Sequence, residues 1–245
     1  MATKIYVDAG HGGNDPGAVG IGAVKESTIT LAVAKYLQTE LNRQGITVKM
    51  SRDSDVAKSL KTRCNEANKF GADIVVSIHC NAYEYTSATG TETYVYKLGG
   101  NAEKIANKVQ ANLVSALSTK DRGVKVGNLA MVRDTNAPAI LCELAFITNE
   151  AECSKVNNSA GQKKCAVAIC KGICTYLGIT YKEETTAVNT NVKTDYKGHW
   201  AEKAIDYVVE KKYMVGDGNG TFRPNDKLTR AEMAQILYNI EHPAK

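Results

Sequence analysis

The chain has 245 residues, 43% of them hydrophobic and 23% charged, enough for one medium domain and a small one. Its net charge of +5 is scattered, so no basic stripe for nucleic acid stands out. No apolar run approaches the ~18–20 residues of a membrane span, which excludes membrane insertion by a helix.

Along the chain, "KIYVDAG" reads as a strand and runs straight into the glycine-rich bend "HGGNDPG". A helix follows in "ESTITLAVAKYLQTELNRQG", where Ile29, Val33, Tyr36, Leu37 and Leu41 recur at helical spacing up to Gly45. "ITVKMSR" alternates like a strand, "SLKTRCNEANKFGA" is a short helix, and "DIVVSIHCNA" is a buried strand. "GTETYVYKL" reads as a strand, "NAEKIANKVQANLVSALS" as a helix, "APAILCELAFITN" as an apolar strand, and "GQKKCAVAICKGICTYLGI" as a closing helix. This alternation predicts an α/β domain over residues 1–178, with a mostly parallel central sheet flanked by helices. Residues 179–193 lose periodicity and read as a linker. Residues 194–245 form a small, mainly α-helical module. It has a helix near Trp200–Lys212, a turn at Gly216–Gly220, and a second helix that Thr229 caps with Glu232 three residues on. The glycine-rich stretch lacks the ligand pattern of a calcium loop.

The N-terminus "MATKIYVDAG" has no apolar signal core, so synthesis in the cytoplasm is the expectation. Seven cysteines without paired C-x-x-C spacing read as reduced core residues. Cys165, Cys170 and Cys174 share one apolar helix face. Cys80 and Cys142 alternate with their neighbours and should point away from His79 and Glu143.

Ligands of parallel sheets gather beyond the carboxyl ends of the strands. His11 follows the first strand, His79 ends the third, Glu143 interrupts an apolar strand, and Glu26 opens the first long helix. All four can meet at one sheet edge. Two histidines and a carboxylate suit a zinc ion (Zn2+) with a position left for water, and a second carboxylate can then move the proton. Taken singly, Glu143 also fits a buried ion pair, and Glu26 a first-turn acid favoured by the helix dipole.

The ordered motifs "VDAGHGGNDPGAVG", "KESTITLAVAKYL", "SRDSDVAKSLKTRCNEANKFGADIVVSIHCNA", "GTETYVY" and "RDTNAPAILCELAFITN" resemble the zinc-dependent N-acetylmuramoyl-L-alanine amidases of bacterial wall hydrolases and phage endolysins. The resemblance covers residues 3–178. It implies peptidoglycan as substrate and cleavage of the amide between N-acetylmuramic acid and L-alanine. It also implies zinc on His11, Glu26 and His79, and catalysis by Glu143. Two departures are Cys80, where a small residue is common, and Leu144–Ala145, where a small residue and glycine are usual. Residues 195–240 resemble a single S-layer homology module, of the kind that binds secondary cell-wall polymers. Its "TRAE" motif falls on Thr229–Glu232, with Arg230 as the partner for an anionic sugar. Such modules usually come in threes, so one copy implies homo-oligomerisation or weak binding alone. The combined expectation is a phage-type endolysin, held in the host cytoplasm until it reaches the wall. The alternatives are a host autolysin of the same activity, a non-catalytic wall-binding protein, and another zinc amide hydrolase.

Overall fold

A computed structural model describes residues 2–184, 195–211, 213, 214, 216 and 221–242. The chain divides into two units after Glu184.

The first unit is built on a six-stranded sheet of β1 (Lys4–Ala9), β2 (Thr47–Met50), β3 (Ile74–Asn81), β4 (Thr91–Val95), β5 (Asp121–Val126) and β6 (Ala139–Phe146). The spatial order is β2-β1-β3-β6-β4-β5. All neighbours are parallel except β4 and β6, which are antiparallel. The expected mostly parallel, helix-flanked sheet is therefore present. The most apolar strands, β1, β3 and β6, lie side by side in the middle of the sheet.

The two faces are covered unequally. Helices α1 (Glu26–Arg43), α3 (Asn101–Leu117) and α6 (Ser159–Leu177) bury a large core, with Val33, Leu37, Ile105, Leu113, Ile169 and Ile173 fully enclosed. Cys80, Cys142, Cys165, Cys170 and Cys174 all lie in this core, and all seven cysteines are free and buried. Among the described residues, the opposite face carries only the shorter α2 (Leu60–Phe70) and α4 (Ala130–Arg133), over Tyr6, Val75 and Leu141. Helix α2 starts on the Ser59 hydroxyl, which accepts from Thr62 N, and stops at Gly71 in the left-handed region (φ 66°). A further short helix, α5 (Glu150–Val156), follows β6.

Two local features depart from the sequence reading. "DRGVKV" is a strand, β5, although its charges and central glycine carry little strand signal. Residues 179–184, expected to begin the linker, stay with the first unit. Tyr181 Oη donates to Glu40 at 2.6 Å, and Lys182 exchanges hydrogen bonds with the Gln44 side chain at 2.7 and 3.0 Å. The remainder of the expected linker lies outside the described residues.

In the second unit, α7 (Glu202–Glu210) and α8 (Arg230–Glu241) occupy the two expected helical segments. Thr229 and Glu232 form the expected capping box. Lys212 and residues 217–220 lie outside the described residues.

Beneath the edge where β1 and β3 end is a buried ion pair. Arg63 Nη1 lies 2.7 Å from Asp8 Oδ1, and Ser77 Oγ donates to Asp8 Oδ2 at 2.7 Å. Burial alone would raise the Asp8 carboxyl, but Arg63 outweighs it and holds the group below the usual aspartate range. Its stabilisation is present above the unfolded aspartate value of about 3.9 and drains away as pH falls below it. Asp8→Asn should cost about 3–5 kcal/mol at pH 7, because it leaves Arg63 buried and uncompensated. Urea unfolding at pH 7 and pH 3 checks this, and the variant should lose less stability on acidification than the parent does.

Candidate metal centre

The site begins where β1 ends. Gly10 N donates to Ile78 O at 3.1 Å, so the chain leaves the sheet beside β3. The next residue, His11, sits at φ 60°, a region that costs a residue with a Cβ about 1–3 kcal/mol. Two arginines hold it there. Arg63 donates to His11 O and Ala9 O, each at 2.6 Å. Arg52 donates to Ala9 O at 3.0 Å and Gly10 O at 2.9 Å. Three consecutive carbonyls are thus fixed by side chains. Asp15 Oδ2, 2.8 Å from His11 Nδ1, then orients the ring and turns Nε2 toward Glu26 Oε1 at 3.2 Å.

Glu26 is the first residue of α1 and is almost fully buried. Its Oε2 accepts from Ala18 N, and its Oε1 accepts from Cys80 N, both at 2.9 Å. The same Oε1 lies 2.9 Å from His79 Nδ1. One ligand atom each from His11, Glu26 and His79 falls within 4.8 Å of the other two. The structure thus brings together the three residues that the sequence reading assigned to zinc.

The glycines nearby are spacers. A Cβ on Gly10 would stand 2.5 Å from the His79 ring. One on Gly17, at φ 67°, would stand 2.6 Å from both Glu26 Oε2 and His11 Cδ2.

Carboxylates dominate the surroundings of the two imidazoles. Its hydrogen bond to Glu26 raises the His11 imidazole to about 9, with Asp15 adding to the effect. Burial opposes charge on His79, yet Glu26 and Glu143 raise it. Burial likewise pushes Glu26 up, but its hydrogen bonds to both histidines carry it below the usual glutamate range. Two imidazoles drawn toward protonation around one fixed carboxylate mark a place that favours a cation. Two nitrogens and one oxygen, with Asp15 behind one imidazole, fit zinc with three protein ligands.

Glu143 lies on β6 in register with His79 on β3. Both point to the thinly covered face, while Cys80 and Cys142 turn into the main core. Glu143 Oε2 is buried without a hydrogen-bond partner, so the ion-pair alternative is not what the fold builds. Burial pushes its carboxyl up to about 7, with His79 pulling the other way.

The sequence reading missed several residues. Glu92, on β4, is in register with Glu143 and almost fully buried. It binds Arg122 Nε at 2.6 Å, Asn81 Nδ2 at 2.7 Å, Tyr94 Oη at 2.9 Å, and Lys125. A charged residue inside "GTETYVY" was the available signal. Asp15, Arg52 and Arg63 were also missed, since each looks like an ordinary surface charge in sequence. Arg230, the candidate wall-binding residue, is exposed at the start of α8 in the second unit.

The N-acetylmuramoyl-L-alanine amidase family model matches residues 5–175. The chain belongs to that family. An S-layer homology domain matches residues 194–234. Among relatives, the chain is 41% identical to the uncharacterized protein YqiI of Bacillus subtilis, over 70% of this chain and 84% of that one. It is 38% identical to the B. subtilis N-acetylmuramoyl-L-alanine amidase LytC, over 72% of this chain but 36% of that one. Among solved structures, an N-acetylmuramoyl-L-alanine amidase from Clostridium difficile 630 superposes with a TM-score of 0.70 at 37% identity, over 72% of this chain and 97% of that one.

With the triad as the metal site, Gly17→Ala should bind added zinc about 10–100-fold more weakly than the parent, as losses of ligand-orienting contacts do. The added methyl displaces Glu26 and His11 at a backbone position that disfavours it. Competition with a chromophoric chelator checks this, and an unchanged affinity would remove the spacer role.

Proposed function

We propose that the first unit hydrolyses the amide between N-acetylmuramic acid and L-alanine in peptidoglycan, with zinc on His11, Glu26 and His79 and Glu143 as the proton carrier. The observation that carries this reading is the orphaned, buried Glu143 Oε2, in register with His79 beside the three convergent donors. An unpaired buried carboxyl costs stability, and general acid–base chemistry accounts for keeping it.

A zinc ion held there would supply Lewis acidity, which acidifies a water and polarises the scissile carbonyl. Glu143 accepts the proton from the attacking water and returns it to the nitrogen of the departing L-alanine. The C–N bond breaks, one water is consumed, and the products are a lactyl carboxylate and a free amino terminus. Asp15 holds the His11 ring in the tautomer that presents Nε2, and the Arg52–Arg63 clamp keeps that ring in place.

The second unit is read as the wall-targeting module, which places the enzyme's action at the bacterial cell wall. The capping box accounts for Thr229 and Glu232 and leaves the exposed Arg230 for an anionic polymer. For the biological setting we favour a phage-type lysin assembled in a reducing cytoplasm, because all seven cysteines are free. The host amidase LytC among the relatives supports a second reading as a host autolysin.

Glu143→Gln should lose about 10²–10⁴-fold in activity while keeping its fold and its zinc, whereas His79→Ala should lose both zinc and activity. Elemental analysis and digestion of purified peptidoglycan check the pair. New L-alanine amino termini on intact glycan strands support the amidase, and new reducing ends contradict it. Arg230→Ala should weaken co-sedimentation of the full chain with purified walls. Wall binding that is unchanged in a chain ending at residue 184 would remove the targeting role.

A further inference from the structure

Five strands set out the edge of the site in a fixed order. The donors His11, Glu26 and His79 gather around the ends of β1 and β3. Glu143 follows on β6, Glu92 on β4, and Arg122 and Lys125 on β5. In the reaction proposed above, the scissile carbonyl faces the donors and the leaving nitrogen faces Glu143. The peptide after that nitrogen therefore runs toward β4 and β5.

What it meets there is a built cationic cluster. The Glu92 side chain is 4% exposed, yet the two cations it holds are 31% (Arg122) and 37% (Lys125) exposed. One carboxylate thus anchors two positive groups whose outer donors reach solvent. The cluster carries one net positive charge, since Asn81 and Tyr94, the other partners of Glu92, are neutral. The Arg122 guanidinium is further fixed over the Phe146 ring, 5.0 Å from its centroid, and donates to Thr89 O at 3.3 Å. Pre-ordering of this kind lowers the entropy lost when a ligand binds.

We propose that Arg122 and Lys125, braced on Glu92, form a subsite for a carboxylate on the peptide residue that follows the alanine. The proposal rests on the amidase reading. Adjacent strands stand about 4.8 Å apart, so β5 lies roughly 10 Å from β6. An extended peptide advances about 3.3–3.6 Å per residue, so a side group one residue past the alanine reaches the β4–β5 edge. In peptidoglycan that residue is D-glutamate, with a free α-carboxylate, or D-isoglutamine, in which this group is a carboxamide. The cluster discriminates between them because only the carboxylate forms charge-assisted hydrogen bonds with both cations.

The test uses the full chain and peptidoglycan from one species in two forms that differ only in this amidation. The initial release of alanine amino termini is measured on each. The carboxylate form should be cut on the order of tenfold faster. The double variant Arg122→Gln/Lys125→Gln should bring the ratio close to one, and Lys125→Arg should keep it. If the double variant fails to fold by circular dichroism, each single variant should lower the ratio part of the way. Equal rates in the parent, or an unchanged ratio in the folded variants, would overturn the subsite. Absence of alanine termini from both forms would overturn the amidase reading itself.

Discussion

The catalytic edge depends on a clamp of two buried arginines. Arg52 and Arg63 together bind the carbonyls of Ala9, Gly10 and His11, the three residues by which β1 leaves the sheet. Arg52 also ties the bend to the start of α1, through Ser27 O at 2.7 Å. Without these donors, the Ala9 and His11 carbonyls would lose their side-chain partners, Gly10 O would keep only the Thr30 hydroxyl, and His11 would have no reason to stay at positive φ. Both arginines need compensation themselves. Arg63 obtains it from Asp8 in the sheet, and Arg52 from carbonyl dipoles, the Thr30 hydroxyl and the charges of Asp55 and Asp8, while burial and its neighbour Arg63 pull its proton affinity down. The fold thus spends buried charge on backbone geometry, and the histidine inherits its position from that geometry.

The unequal coverage of the sheet decides where chemistry can occur. Long helices seal one face, so residues alternating into it are cysteine, leucine and isoleucine. Within the first unit the other face has, among the described residues, only the short helices α2 and α4, which pack on Tyr6, Val75 and Leu141 rather than on the end nearest the donors. His79, Glu143 and Glu92 all fall at that end and on that face, through strand alternation and register alone. A one-residue slip of β6 would exchange Glu143 for Cys142 or Leu144. The register is therefore as important to the site as the identity of the residue.

Much of this was legible in sequence. Continuous apolar runs marked β1, β3 and β6, and a histidine or glutamate within or just after such a run stands out because burying it is costly. Glu26 was legible as a helix opener. What was not legible depends on pairing across strands. Arg63 lies in a polar helix and Arg52 in "SRDSD", and nothing local says that either points inward. Strand β5 mixes aspartate, arginine, glycine and lysine, because an edge strand need not be apolar and charges protect it from further pairing. Its role appears only once Glu92 is seen to need both of its cations.

Three glutamates crowd this edge, and their surroundings assign them different work. Glu26 is held ionised by two imidazoles and a backbone amide. Burial pushes Glu92 up, but Lys125, Arg122, Tyr94 and Asn81 bring its carboxyl down to about 2. Glu143 receives no such partner, and it sits in register between His79 and Glu92. Burial raises it, and the negative charges of Glu26 and Glu92 raise it further. Groups whose environments push their proton affinities apart divide the labour of acid–base chemistry. The occupied neighbours are a condition of that division. Were Glu92 left without Arg122 and Lys125, two adjacent carboxyls would compete for one proton, and neither would be dedicated to the substrate. In the proposed reaction, the same cations that present a binding surface to the peptide also leave Glu143, not Glu92, as the carboxyl that takes the proton.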